Sequence, residues 1–287
     1  MSDSMYKELL DAGVHFGHLK RKWHPHMAPY VFMEYNGIHI IDLYKTERKL
    51  KEAASAMKQI AKSGRKILFV ATKKQAKNLV AEQATSVGMP YMTERWPGGM
   101  LTNFATIRRS VKKMATIDKM EVDGTFNNMS KRECLMLSRK REKLERNLGS
   151  IVDLSRLPAA VFIVDTLKEH IAVAEARKLN IPIFAMVDTN SDPRLIDFPI
   201  PCNDDATKSI EIIVGYVVNA IKKGLEERKQ DKALQEKEKA EQKEEKEKTE
   251  ENDPAAKSKQ NTELQKPEVE SKKVDIETAD KPIEKSK

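Results

Sequence analysis

From Lys66 onward the apolar residues fall into short unbroken runs, separated by stretches that are apolar only at every third or fourth position. KILFVAT, AAVFIVD and IPIFAMVD are the unbroken runs, each of strand length, and KKQAKNLVAEQATSVG and KEHIAVAEARKLN between them have the helical period. Strands that are apolar on both faces and alternate with helices belong to a parallel sheet covered on both sides. The pattern therefore predicts an α/β fold, a doubly wound parallel sheet, closed by a helix from Asp204 to Leu225. Upstream, Tyr6, Leu9 and Leu10 predict a short opening helix from Ser4 to Ala12 that stops at Gly13. The His- and Lys-rich stretch from Val14 to Pro29 reads as a linker. YVFMEY and IHIIDL flank Asn36-Gly37, whose easy access to positive φ suits a two-residue hairpin turn, so two short strands are expected there. Leu50, Ala53, Ala54, Met57 and Ile60 share one face of a predicted amphipathic helix from Thr46 to Ser63, ending before Gly64.

The alternation breaks between Asn103 and Gly149. Two long helical patterns lie here, joined by VDGTFNNMSK, with narrow apolar seams: Ile107, Val111, Met114, Ile117 and Met120 on the first, Cys134, Leu135, Leu144 and Leu148 on the second. Narrow seams with charged flanks predict an antiparallel coiled-coil hairpin, residues 104–148, inserted into an α/β domain of residues 1–225. Residues 226–287 change character again. Lys and Glu dominate and apolar residues are too sparse to offset the entropy of ordering, which predicts a charged tail, partly helical and grading into disorder.

Charge sharpens this division. The chain carries 52 Lys+Arg against 44 Asp+Glu, a formal +8, but residues 226–287 hold 16 against 19, so the whole positive excess belongs to residues 1–225. A basic folded domain with only 6% aromatic residues favours polyanions over carbohydrate or apolar ligands, and nucleic acid is the natural partner. Cys134 and Cys202 stand alone, without a CxxC spacing, and read as small buried hydrophobes rather than a disulfide or thiolate metal site. No apolar run approaches the roughly 20 residues of a membrane span, and the first ten residues lack the pattern of a signal peptide, so a cytoplasmic location with no membrane partner is expected.

Within residues 95–146 there are 13 Lys+Arg and 6 Asp+Glu, including Arg95 beside Trp96, Arg108-Arg109, Lys112-Lys113, Arg139-Lys140-Arg141 and Arg146. Arg109, Lys112 and Lys113 fall on one helical face or its margin and can present charge to one phosphate path; an ordinary solvated helix face is the bland alternative. Lys73, Lys74 and Lys77 follow KILFVAT at the carboxyl end of the predicted sheet, where a helix N-terminus favours anions. Neither GxGxxG nor GxxxxGK[ST] occurs, so an RNA phosphate fits there better than a nucleotide cofactor. His15, His18, His24 and His26 are interleaved with Lys20, Arg21, Lys22 and Trp23. Their spacing lacks a usual zinc pattern, and contact of the basic residues and the aromatic with RNA is the favoured reading, with no metal and no cofactor expected. Asp188, Asp192, Asp204 and Asp205 follow strand-like segments; turn formation and helix capping by Asn203 or Asp204 outweigh a hydrolase centre, and whether these residues or the histidines hold an ion is left open. No nucleophile elbow, HExxH or Cys-His pairing is present, so no catalytic residue is expected.

AGVHFGH at 12–18, WPGGMLTN at 96–103, DGTF at 123–126, EKLERNLGSI at 142–151, IPIFAMVDTNSDP at 181–193 and IPCNDDA at 200–206 together resemble, in order, the S-two family of bacterial small-subunit ribosomal proteins. The resemblance covers about Ser4 to Leu225. It implies a Rossmann-like, flavodoxin-like domain with an inserted coiled coil, bound between the head and body of the small subunit. Small-subunit 16S rRNA and neighbouring small-subunit proteins would be its partners, among them the large S-one protein, with no DNA contact. It leaves residues 226–287 without a role. The reading from another class is a nucleotide- or metal-dependent enzyme on the same fold using Lys73, Asp188 and Asp205, because doubly wound domains host many activities.

Overall fold

The computed structural model describes residues 3–251, with side chains from 5 to 234. Its larger sheet has five parallel strands in the order β5-β4-β6-β7-β8, where β4 is Ile67–Val70, β5 Tyr91–Met92, β6 Ala160–Val164, β7 Ile183–Val187 and β8 Phe198–Pro201. The three central strands are the three unbroken apolar runs, and every residue in them is buried. The two outer strands are additions to the expected pattern. β5 is only two residues long, and β8 contains Pro199 and Pro201, which cannot donate ladder hydrogen bonds and suit an edge. Chain order reverses between β4 and β6, which makes the carboxyl ends of those strands the crevice of a doubly wound sheet.

Alternate side chains of the strands separate two apolar layers. Phe69, Phe162 and Phe184 face the layer shared with α2 (Leu43–Lys62), α3 (Lys74–Ser86) and the start of α7 (Thr207–Glu251), where Leu50, Met57, Val80, Ile213, Val217 and Ile221 are buried. Leu68, Val70, Val161 and Ile163 face the other, with Ala172 and Val173 of α6 (His170–Lys178) and with Val111 and Leu148. Each large side chain buried this way contributes roughly 1.5–3 kcal/mol. α2 begins earlier than its apolar face suggests, because the Asp42 carboxylate accepts a hydrogen bond from the Tyr44 amide at 3.0 Å and caps it. α7 crosses α2 so closely at Gly224 that a Cβ there would sit 2.5 Å from the Lys58 carbonyl oxygen.

The stretch 14–29 is not a plain linker. It contains β1 (Phe16–Leu19), which pairs with β3 (Ile38–Ile41) opposite β2 (Val31–Tyr35), forming a three-stranded antiparallel sheet in the order β1-β3-β2. Asn36 and Gly37 take the positive φ expected of the β2–β3 turn. The opening helix α1 spans Asp3–Asp11. In the interrupted region α4 (Phe104–Val122) and α5 (Lys131–Leu148) pack against each other, and Ser130 and Glu133 form a reciprocal cap at the start of α5.

The chain divides into a compact unit, Met1–Lys232, and a second unit, Ala233–Lys287, in which 233–251 is helical. The remainder of the charged segment, 252–287, lies outside the described residues. Among the described residues no helix is long and apolar enough to cross a membrane.

Candidate nucleic-acid interface

At the crevice between β4 and β6, chain segments far apart in sequence bring one ammonium among several carboxylates. Lys73 Nζ lies 3.1 Å from Asp165, 2.7 Å from Asp204 and 2.6 Å from Asp205. Burial opposes its charge, but Asp204, Asp205 and Asp165 together hold its pKa above the ordinary lysine value. Asp204 is fully enclosed; burial and the nearby Asp188 and Asp165 push its pKa up to about 7 against the pull of Lys73. Asp205 responds oppositely, because hydrogen bonding and attraction to Lys73 outweigh its partial burial and lower its pKa. His18 joins from β1. Its Nδ1 is 3.0 Å from Asp188, and that hydrogen bond leads the effects that raise the imidazole pKa despite burial. The Thr72 hydroxyl donates to Glu169, and Lys168 Nζ donates to the Thr72 carbonyl at 2.8 Å.

Lys73 follows β4 at the carboxyl end of the sheet, and carboxylates of the chain itself surround its ammonium. Lys77 is likewise paired with Glu94, whereas Lys74 is exposed and has no carboxylate at ion-pair distance among the described residues.

A second buried carboxylate, which the sequence pattern does not single out, organises the loop that leads into α4. Glu175 of α6 accepts from Trp96 Nε1 at 3.1 Å and the Gly99 amide at 2.7 Å through Oε1, and from the Leu101 and Thr102 amides at 2.9 and 3.1 Å through Oε2. Burial alone would raise its pKa, but the bonds from Thr102, Leu101, Trp96 and Gly99 prevail and lower it. Trp96 is only 6% exposed and its N–H is occupied, so it packs the loop. Arg108 is also turned inward, donating from Nη1 to the Val152 and Leu154 carbonyls at 3.1 Å each.

Beyond that base the cations are exposed. Arg109, Lys112, Lys113, Arg139, Lys140 and Arg146 have no carboxylate at ion-pair distance among the described residues, and neither has Arg95. Arg141 differs: it binds Asp118 across the helix pair at 2.6 Å and Glu145 at 2.5 Å. Lys113 and Lys140 approach each other from α4 and α5, and hydrogen bonding with the Lys113 ammonium and repulsion by it lower the pKa of Lys140. In the 3-10 turn after β1, Arg21 and Lys22 are exposed, while Lys20 pairs with Glu34 at 2.8 Å; Trp23 rests on His39 with ring centroids 5.2 Å apart and keeps 36% of its surface in solvent.

Among the described residues two side-chain groups have metal-ligand spacing: His18 with Asp188 and Asp204, and His24 with His26 and Asp192, the ligand atoms of each group lying within 4.8 Å of one another. Asp192 also caps the 3-10 turn Pro193–Leu195 through the Arg194 amide, and Asn203 accepts from the Asp205 and Ala206 amides just before α7, so the turn and cap roles expected of these segments are occupied. Cys202 is buried, whereas Cys134 is half-buried and its thiol donates to the Phe126 carbonyl.

Comparison with known proteins places this chain among relatives. The family model described as ribosomal protein S2 matches residues 9–224. Proteins named small ribosomal subunit protein uS2 are similar at 67% identity over 232 residues in Parabacteroides distasonis (81% of this chain, 84% of the relative) and at 68% over 232 residues in Phocaeicola vulgatus (81% and 83%). The protein of that name from Christiangramia forsetii is 69% identical over 225 residues, 78% of this chain and 75% of the relative.

Proposed function

The chain belongs to the ribosomal protein S2 family, and from that premise we propose that it is a structural constituent of the small ribosomal subunit that binds 16S rRNA between head and body. The family is one of ribosomal proteins and not of enzymes, and its setting is the cytoplasmic ribosome. The observation that carries the RNA reading is the set of exposed cations on α4 and α5 and in the turn after β1 that have no carboxylate at ion-pair distance among the described residues: Arg21, Lys22, Arg109, Lys112, Lys113, Arg139, Lys140 and Arg146. We take α4 and α5 to act as an antiparallel coiled coil, with Glu175 and Trp96 fixing the loop at its base. Exposed lysines and arginines bind phosphates by charge and fix the register of RNA segments without reading bases. Lys113 opposite Lys140 is a site where an approaching phosphate relieves like-charge repulsion. The family resemblance also supports contact with the S-one protein, which recovery of S-one on subunits rebuilt with and without this chain would test.

Reversing the charge of Arg109, Lys112 and Lys113 together should sharply reduce incorporation into small subunits, measured by sedimentation of reconstituted particles, while circular dichroism of the free chain stays unchanged. Normal incorporation with an unchanged salt dependence would remove α4 from the RNA surface.

A further inference from the structure

Where α7 leaves the apolar layer, its charges sort by face. Glu227 and Asp231 turn to α2, where Lys58 meets Glu227 at 2.5 Å and Lys62 meets Asp231 at 3.1 Å. Lys222, Arg228, Lys229 and Lys232, with Leu225 and Glu226, line a groove of about 450 Å³ whose other wall is Ser86 and Val87 at the end of α3. Positions 222, 225, 229 and 232 recur at spacings of three, four and three, so they form one stripe along the helix, about 15 Å long. None of the four cations has a carboxylate at ion-pair distance among the described residues.

Arg228 is also held in place. Gly64 ends α2 with φ of +76°, and a Cβ at that position would collide with the Arg228 guanidinium, so the guanidinium lies over the bare backbone of the turn. The carboxyl end of α3 attracts cations, but a helix end carries only about half a unit of negative charge. Among the described lining residues, four cations against Glu226 exceed what that end can balance. The stripe offers point charges without an exposed aromatic or a patterned set of hydrogen-bonding side chains, which suits a phosphate backbone and not a specific peptide or an apolar ligand.

We propose that the groove between the end of α3 and the 222–232 stretch of α7 is a second RNA-phosphate contact. The proposal rests on the reading of the chain as an rRNA-binding protein. Its test is filter binding of the full-length chain to transcribed 16S rRNA over a range of salt, comparing the parent with Lys222→Gln/Lys229→Gln and with Lys112→Gln/Lys113→Gln. The groove variant should bind about tenfold more weakly at moderate salt, and its log affinity against log salt should be shallower by about two, one for each phosphate that the variant no longer neutralises. Its melting temperature should match the parent. If the groove variant binds like the parent while the α4 variant is weakened, the groove is not an RNA contact and the rRNA reading stands. If the parent shows no salt-dependent binding, the rRNA reading itself fails. Polyglutamate should not displace RNA from the parent; displacement that disappears in the groove variant would assign the groove to an acidic protein segment and overturn the proposal.

Discussion

Lys73 and Lys113 both belong to the basic excess of the same folded unit, yet they stand in opposite conditions. Lys73 is enclosed by Asp165, Asp204 and Asp205, whereas Lys113 faces Lys140 and has no carboxylate at ion-pair distance among the described residues. One cation holds the carboxyl ends of three strands together; the other is left with its charge unanswered. The contrast shows that a count of lysines locates an interface only after subtraction of those the fold has already neutralised, and that subtraction depends on pairings between residues far apart in the chain.

The largest effect that would sharpen this contrast is on stability. Lys73→Met should destabilise the chain by about 3–5 kcal/mol, because it strands the buried carboxyls of Asp165 and Asp204 without their counter-charge. Urea unfolding measures it, and 16S rRNA affinity at temperatures where the variant is folded should be unchanged. A variant of full stability and weakened RNA binding would reverse the assignment of this lysine.

The next tests the buried carboxylate between the two regions. Glu175→Gln should cost about 2–4 kcal/mol, since a neutral amide replaces an ionised acceptor and turns an N–H toward amide donors of the 96–103 loop. The folded-state pKa of Glu175 is depressed, so its contribution is present above the ordinary glutamate value and is lost as pH falls through the depressed one. The stability gap between parent and variant should therefore be constant near neutrality and narrow below about pH 4.5. A gap that is insensitive to acid would show that Glu175 acts through its packing alone.

The smallest stability effect belongs to the exposed side. Lys113→Gln with Lys140→Gln should leave the urea midpoint close to that of the parent, with relief of their repulsion favouring the variant, while the salt dependence of RNA binding becomes shallower. A marked loss of stability would show that these lysines serve the packing of α4 on α5.

Much of the fold is legible in the sequence because the three central strands are buried on both faces and therefore read as unbroken apolar runs. β5 leaves no such mark, because two residues carry no period, and β8 leaves none because Pro199 and Pro201 argue against a strand except at an edge, where it lies. β1 is hidden among histidines and lysines, since a strand of the small sheet need not be apolar on both faces. The position of Lys73 after β4 is visible in the sequence, but its state is not, because the carboxylates that enclose it come from later connections. Glu175 has no local signal at all: in KEHIAVAEARKLN it reads as one more polar residue on a helix, and only the approach of the Trp96–Thr102 loop makes it an anchor. Trp96 and Arg108 read as surface residues because their neighbours in sequence are charged, and only the fold turns them inward.

The dependence of Lys73 on late residues also sets an order of events during synthesis. A nascent chain that has emerged only as far as residue 190 has Asp165 to set against Lys73, but neither Asp204 nor Asp205, and it lacks the buried α7 residues Ile210, Ile213, Val214, Val217 and Val218 that cover one face of the sheet. Until those later residues appear, one apolar layer of the sheet is uncovered and Lys73 has only Asp165 of its three carboxylate partners. The closing segment thus completes the core and the charge balance of the crevice together.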